Sequence, residues 1–110
     1  MPRGPGSTLL IVAYDASRED SANEAVAKLE KEHGVEHLDI VVANAGISKQ
    51  YPLVREVRRT DVLEHVDVNV LGIVALYQAT RPLLQRSSRA QKPIFAPMGS
   101  LSGSLGCVVS

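Results

Sequence analysis

At 110 residues, 45% of them apolar, the chain holds one domain at most and enough apolar side chains for a single core. Its 12 acidic and 12 basic residues cancel, which argues against a nucleic-acid partner or an anionic membrane surface. The only cysteine, Cys107, excludes an internal disulfide and any zinc site built from cysteine pairs, and it fits a reducing, cytoplasmic setting.

Residues 1–7 read as a flexible lead to the domain. Leu9 to Ala13 is too short for a signal-peptide core and stops at Asp15, and no apolar run in the sequence approaches the length of a bilayer span. Thr8 to Tyr14, rich in branched residues, predicts a buried strand, and Asp15-Ala16-Ser17 a turn. Ser17 predicts a helix cap with Asp20 reaching back to it. Ala22, Ala25, Val26 and Leu29 recur at helical spacing, so a helix over 18–33 is expected, with Gly34 just past its end. His33 and His37 are four apart, a metal-ligand spacing on a continuous helix, but Gly34 lies between them and ends it. His65 has no evident partner.

The run Leu38 to Ala43 is apolar at five of six positions, without polar alternation, as in a parallel strand covered on both faces. It ends in Asn44-Ala45-Gly46. In an open α/β sheet, ligands bind just beyond the carboxyl ends of strands. An amide offers both donor and acceptor there, and a glycine admits close backbone approach. Residues 47–58 read as a loop redirected at Pro52. Thr60 is then expected to cap a long helix carrying Val62, Leu63, Val66, Val70, Val74 and Tyr77 at helical period, nearly encircled by apolar residues around 71–76. Gly72 costs such a helix about 1 kcal/mol against alanine, so close packing is expected there. Pro82 should kink or split the helix. Residues 85–91 form a polar loop. Lys92 to Met98 reads as a third strand ending near Pro97, followed by a serine- and glycine-rich run from Gly99 to Gly106. The order β-α-β-α-β predicts an α/β, three-layer unit with a right-handed crossover.

Chemistry-bearing residues gather at the carboxyl ends of these strands: Asp15 after the first, Asn44 to Gly46 after the second, Ser100 after the third. Asn69, between two valines of the long helix, either hydrogen-bonds to backbone or water or points at a site, because an unpaired buried amide costs a few kcal/mol.

This arrangement resembles the short-chain dehydrogenase/reductase family. Ala43-Asn44-Ala45-Gly46 is similar to the family's Asn-Asn-Ala-Gly motif with alanine in first place. Asp67-Val68-Asn69-Val70-Leu71-Gly72 is similar to the helix segment bearing its active-site asparagine. Ile94 to Gly103 is similar to the strand and turn bearing its catalytic serine, which falls on Ser100, and Asp15-Ala16-Ser17 to its adenine-side acidic turn. The wording around 33–39 and 44–48 is nearest to fungal ketoreductases of the norsolorinic-acid-reductase kind. The resemblance runs from about residue 8 to 106. It implies a partial NAD(P)-binding Rossmann domain over 1–110, with three mainly parallel strands and two main helices. It implies NAD or NADP as cofactor, a small carbonyl or alcohol substrate, Ser100 and Asn69 as catalytic residues, Asp15, Asn44, Ala45 and Gly46 at the cofactor, and no metal. The family's long helix also builds subunit interfaces, which implies homo-oligomer formation through 60–85.

Two family features are absent from these residues. No strand followed by a glycine-rich turn precedes residue 8; Arg3-Gly-Pro-Gly6 lies before a strand rather than between a strand and a helix. No Tyr-x-x-x-Lys occurs, since Tyr14, Tyr51 and Tyr77 lack the following lysine. The chain is therefore expected to be truncated at both ends and inactive by itself. In the strand order 3-2-1-4-5-6 it holds strands three, four and five, so strand three should stand about 14 Å from strand four. Residues 8–14 should then either pair directly with 38–43 or be left without a partner. Two other readings stay open: a non-catalytic fragment that pairs with a full-length relative through helix 60–85, and an unrelated α/β nucleotide binder of the flavodoxin kind.

Overall fold

The computed structural model describes residues 6–49, 53–87 and 92–100. Residues 1–5 of the lead, the turn at Pro52, the loop at 88–91 and the run after Ser100 lie outside the described residues.

Helix α1 spans Ser21–His33. It starts three residues later than the capping signal at Ser17 suggested, because Ser17 is engaged elsewhere: its N–H and hydroxyl both donate to Asp15 Oδ1, at 2.9 and 2.6 Å. An Asx turn thus takes the serine that would have capped the helix. At the other end Gly34 adopts φ 66°, and the N–H groups of both Gly34 and Val35 reach the Leu29 carbonyl. This left-handed cap is the one the glycine predicts.

Strand β1 is Ile40–Ala43 and strand β2 is Ile94–Pro97. They pair in parallel with Ile40 opposite Ile94 and Ala43 opposite Pro97. The ladder is extended at both ends by Ile94 N–H to Asp39 O and Met98 N–H to Ala43 O, at 2.9 and 3.0 Å. Between the strands runs a long helix, Arg59–Gln85, in three parts: α2 at Arg59–Val66, a π turn at Asp67–Leu71, and α3 at Gly72–Gln85. Arg58 rather than Thr60 stands at its N-terminus, without a side-chain cap. Pro82 does not split it; α3 continues to Gln85.

The core forms where α1 lies on α3. Ala22 and Val26 meet Ala79 and Leu83, with Leu38 and Ala75 at the margin, and Leu83 is fully buried. Small residues at Ala22, Ala75 and Ala79 let the two helices approach closely. Thr80, also buried, satisfies its hydroxyl on the Leu76 carbonyl one turn back, at 2.7 Å. Tyr77 and Phe95 join α3 to β2 edge-to-face, with ring centroids 5.1 Å apart.

The expected third strand is the main correction. Residues 8–14 form no ladder, and the described sheet has two strands rather than three. Of the two outcomes open to this segment, it takes the second. An apolar groove of about 440 Å³ lies between it and β1, with Leu10, Val12 and Tyr14 on one wall and Ile40 to Ala43 on the other. Residues of α1 and α3, including Val26 and Ile73, complete its lining. Ile11 is 85% exposed in consequence. Only one face of the sheet is well covered: Ile40 and Val42, which share a face, are both more than half exposed, while Ala43 is buried. A second covering layer is not present among the described residues. The Cα radius of gyration, 17.0 Å, exceeds the roughly 13 Å of a compact chain of this length, as such an open unit requires.

By length and composition, Arg59–Gln85 is a helix that could cross a membrane, contrary to the expectation that no segment reaches that length. Gly72, Ala79, Thr80, Leu83 and Leu84 are buried within the unit, and Asn69 is hydrogen-bonded to the loop behind β1.

Candidate functional site

Asn44, Ala45 and Gly46 follow directly on β1, at the carboxyl end of the sheet. Ser100 stands three residues beyond β2 and is exposed. Because Met98 still hydrogen-bonds to Ala43, the two strand ends leave the sheet along the same edge. Ser100 and the Asn44–Gly46 turn are thereby brought to one side of the unit.

Asn69 sits at the centre of the π turn. A π turn inserts an extra residue into the helical ladder and rotates the side chains beyond it. The Asn69 amide is aimed at the loop behind β1 and meets the Ile47 peptide with both ends. Oδ1 accepts from Ile47 N–H at 2.8 Å, and Nδ2 donates to Ile47 O at 2.9 Å. Of the alternatives open to this half-buried amide, it takes the backbone. Gly46 is pressed against the same group: a Cβ on Gly46 would lie 3.3 Å from Asn69 Oδ1, tighter than ordinary contact.

Gly72, one residue past the π turn, is held still more tightly. A Cβ there would stand 2.9 Å from the Ala16 carbonyl oxygen and 3.2 Å from Ala16 Cβ. This is the close packing that a mid-helix glycine implied. Tyr14 adds a second tie, its hydroxyl donating to the Gly72 carbonyl at 3.4 Å. Burial, and secondarily the Asp15 charge, hold the Tyr14 hydroxyl above its ordinary pKa. The unpaired first segment is thus attached to the long helix through Tyr14 and Ala16, two residues that the sequence did not single out.

Asp15 is placed differently from the rest. It borders a polar hollow of about 330 Å³ with Arg18, Ser21, Glu24 and Lys28, whereas Asn44 and Ala45 line the apolar groove beside Tyr14 and Ala16. Its N–H donates to the buried Ser21 hydroxyl at 2.7 Å. The Ser17 hydroxyl first, then the Ser17 N–H, hold the Asp15 carboxyl below the usual carboxylate range, with Arg18 adding to them. Both serine contacts use the single oxygen Oδ1. His65, for which the sequence suggested no partner, has two: Nδ1 lies 2.7 Å from the Asp61 carbonyl, and Nε2 accepts from Lys49 N–H at 3.3 Å. No group of three or more potential metal ligands occurs among the described residues.

A dinucleotide needs a flat-ring wall, a ribose contact and a phosphate cradle. The small residues Ala45 and Gly46, just before the Ile47 peptide that Asn69 holds, fit the first. Among the described residues no glycine-rich turn joins a strand to a helix, so these residues supply no phosphate cradle of the Rossmann kind.

Comparison with known proteins decides the family. Residues 3–92 match the family described as enoyl-(acyl carrier protein) reductase. The chain belongs to the short-chain dehydrogenase/reductase family. Norsolorinic acid ketoreductase nor1 of Dothistroma septosporum is 36% identical over 88 residues, covering 80% of this chain and 33% of that protein. Short chain dehydrogenase gsfK of Penicillium aethiopicum is 33% identical over 108 residues, covering 98% of this chain and 43% of that protein. Among solved structures, an alcohol dehydrogenase from the archaeon Thermococcus sibiricus complexed with 5-hydroxy-NADP superposes with a TM-score of 0.59. It is 30% identical and is matched over 66% of this chain and 30% of that one. The chain therefore spans about a third to two-fifths of the length of the curated relatives it matches. As a short-chain dehydrogenase/reductase segment it has the Rossmann-type α/β frame that its sequence order implied, with two strands paired.

Proposed function

We propose that these residues belong to an NAD(P)-dependent oxidoreductase that interconverts a small carbonyl compound and its alcohol. The observation that carries this reading is the two-sided bond between Asn69 and the Ile47 peptide. It fixes a small-residue turn at the sheet's carboxyl edge to an irregular turn of the long helix, on the edge where Ser100 also emerges. In this reading Ala45 and Gly46 line a flat ring, Asn44 offers it an amide, and Asp15 faces the adenine end with the carboxylate oxygen that Ser17 leaves available. The bound nicotinamide supplies or accepts hydride. Ser100 donates a hydrogen bond to the substrate oxygen, and Asn69 steadies the site through Ile47 and a proton-relay water. NAD and NADP are both compatible with these residues. We propose a cytoplasmic setting, supported by the single cysteine.

The 110 residues contain neither a Tyr-x-x-x-Lys nor a glycine-rich strand-to-helix turn, so no turnover is expected from them alone. The test is a chimera in which residues 8–100 replace the matching segment of the Dothistroma ketoreductase. It should oxidise NADPH in the presence of that enzyme's substrate. A folded chimera that binds NADPH but never turns over would refute the reading; turnover by the 110-residue chain alone would refute only the expectation that it is inactive by itself.

A second reading rests on a separate observation. Val62, Val66, Val70, Val74 and Tyr77 form a stripe on the long helix and are each 37–52% exposed. This stripe suits pairing with the same helix of a second copy or of a full-length relative, in which case the fragment acts by association rather than catalysis.

A further inference from the structure

The loop behind β1 is gripped twice by one face of the long helix. Asn69 holds Ile47, and His65, one turn earlier, holds Lys49. The spacing matches: four helical residues rise about 6 Å, and two residues of extended chain span about 6.6 Å. The two grips differ in chemistry. An amide keeps its donor and acceptor at any ordinary pH, whereas an imidazole does not. His65 Nε2 can accept from Lys49 N–H only when it carries no proton, and Nδ1, 2.7 Å from the Asp61 carbonyl, is then the nitrogen that donates. One neutral tautomer satisfies both contacts. A proton added at Nε2 places two N–H groups face to face.

We propose that neutral His65 is a positioning residue for the loop behind β1, and that its protonation releases Lys49 while Asn69 keeps Ile47 in place. The loop then stays anchored beside Gly46 but loosens at Lys49, beside a cavity of about 560 Å³ that Lys49, His65 and Asn69 all border. The charged groups around the ring are Asp61 and Glu64 on its own helix, Arg58 paired with Asp61, and Lys49 on the loop, whose ammonium pairs with Glu64. The Lys49–Glu64 pair is exposed and screened by salt, so it is a weak substitute for the lost contact. The proposal holds whether or not the chain binds a dinucleotide.

The test is an amide titration of the 110-residue chain by NMR at elevated salt. The Lys49 amide shift should follow the same midpoint as the His65 ring, while the Ile47 amide stays flat. Below that midpoint Lys49 exchange, corrected for its intrinsic rate, should quicken by about tenfold, the size of one lost hydrogen bond. His65→Gln, a non-titrating acceptor, should keep Lys49 protected across the range, and His65→Phe should leave it unprotected throughout. A Lys49 amide indifferent to ring protonation overturns the proposal. So does a neutral ring protonated at Nε2, or a Lys49 amide exchanging at the free-peptide rate at every pH.

Discussion

Replacing Asn69 by alanine removes the bond on which the candidate site depends, and the structure sets the size of the effect. Two hydrogen bonds to Ile47 are lost, at 2.8 and 2.9 Å, each worth about 0.5–1.5 kcal/mol net. Against this, alanine is the better helix former by about 0.7 kcal/mol. The balance is a destabilisation of about 0.3–2.3 kcal/mol, centred near 1.3 kcal/mol. With a urea dependence of about 1–2 kcal/mol/M, the unfolding midpoint should fall by about 1 M. Hydrogen exchange at the Ile47 amide should lose its protection at the same time. Asn69→Asp is the sharper control. It keeps an acceptor for Ile47 N–H but sets a carboxylate against the Ile47 carbonyl. At neutral pH it should be less stable than the alanine variant and should recover part of the difference as the carboxyl protonates. An alanine variant with an unchanged or higher midpoint and a still-protected Ile47 amide would refute the assignment.

Other outcomes follow from the same geometry. Gly72→Ala gains about 1 kcal/mol of helix propensity but drives a methyl to 2.9 Å from a backbone oxygen that cannot rotate away. It should be destabilised overall by about 1 kcal/mol, and a raised melting temperature would show that Ala16 does not approach it. The Asp15 carboxyl, held low by Ser17, adds stability above its unfolded pKa of about 3.9 and loses that contribution as pH falls through its folded value. In Ser17→Ala its NMR titration should move upward, and an unmoved midpoint would remove Ser17 as the cause. If the exposed valine stripe is a pairing surface, Val66→Asp or Val70→Asp should convert an oligomer to a monomer in analytical ultracentrifugation. A wild-type chain that stays monomeric at high concentration would dispose of that surface.

What could be read in advance depended on whether the signal was local. Gly34 stops α1 through its own backbone freedom, and it does so where the sequence placed it. Gly72 announced a close neighbour, though not that the neighbour would be Ala16. The apolar run at 38–43 and the one at 92–98 became paired strands because each has the other as partner. Residues 8–14 carry an equally good strand composition, yet composition sets conformation and not pairing. With an apolar groove between this segment and β1, it has no ladder to join. The π turn had no signature, since one inserted residue barely disturbs a 3.6-residue period over 27 residues. Nor could the sequence show that Asn69 would meet Ile47, 22 residues away, or that His65 would find Lys49. The motif resemblance picked out Asn44 to Gly46 after β1, Ser100 after β2 and Asn69 against the loop behind β1, while the tyrosine and alanine that tie the first segment to the helix resemble ordinary core residues.

The decisive measurement is the steady-state kinetics of the residue 8–100 chimera with and without the Ser100 hydroxyl. If the carboxyl edge of this sheet is the working edge of a carbonyl reductase, Ser100→Ala should lower kcat by about 10²–10³-fold while the NADPH dissociation constant stays within about twofold. A chimera whose kcat is indifferent to Ser100→Ala would contradict that placement of the site.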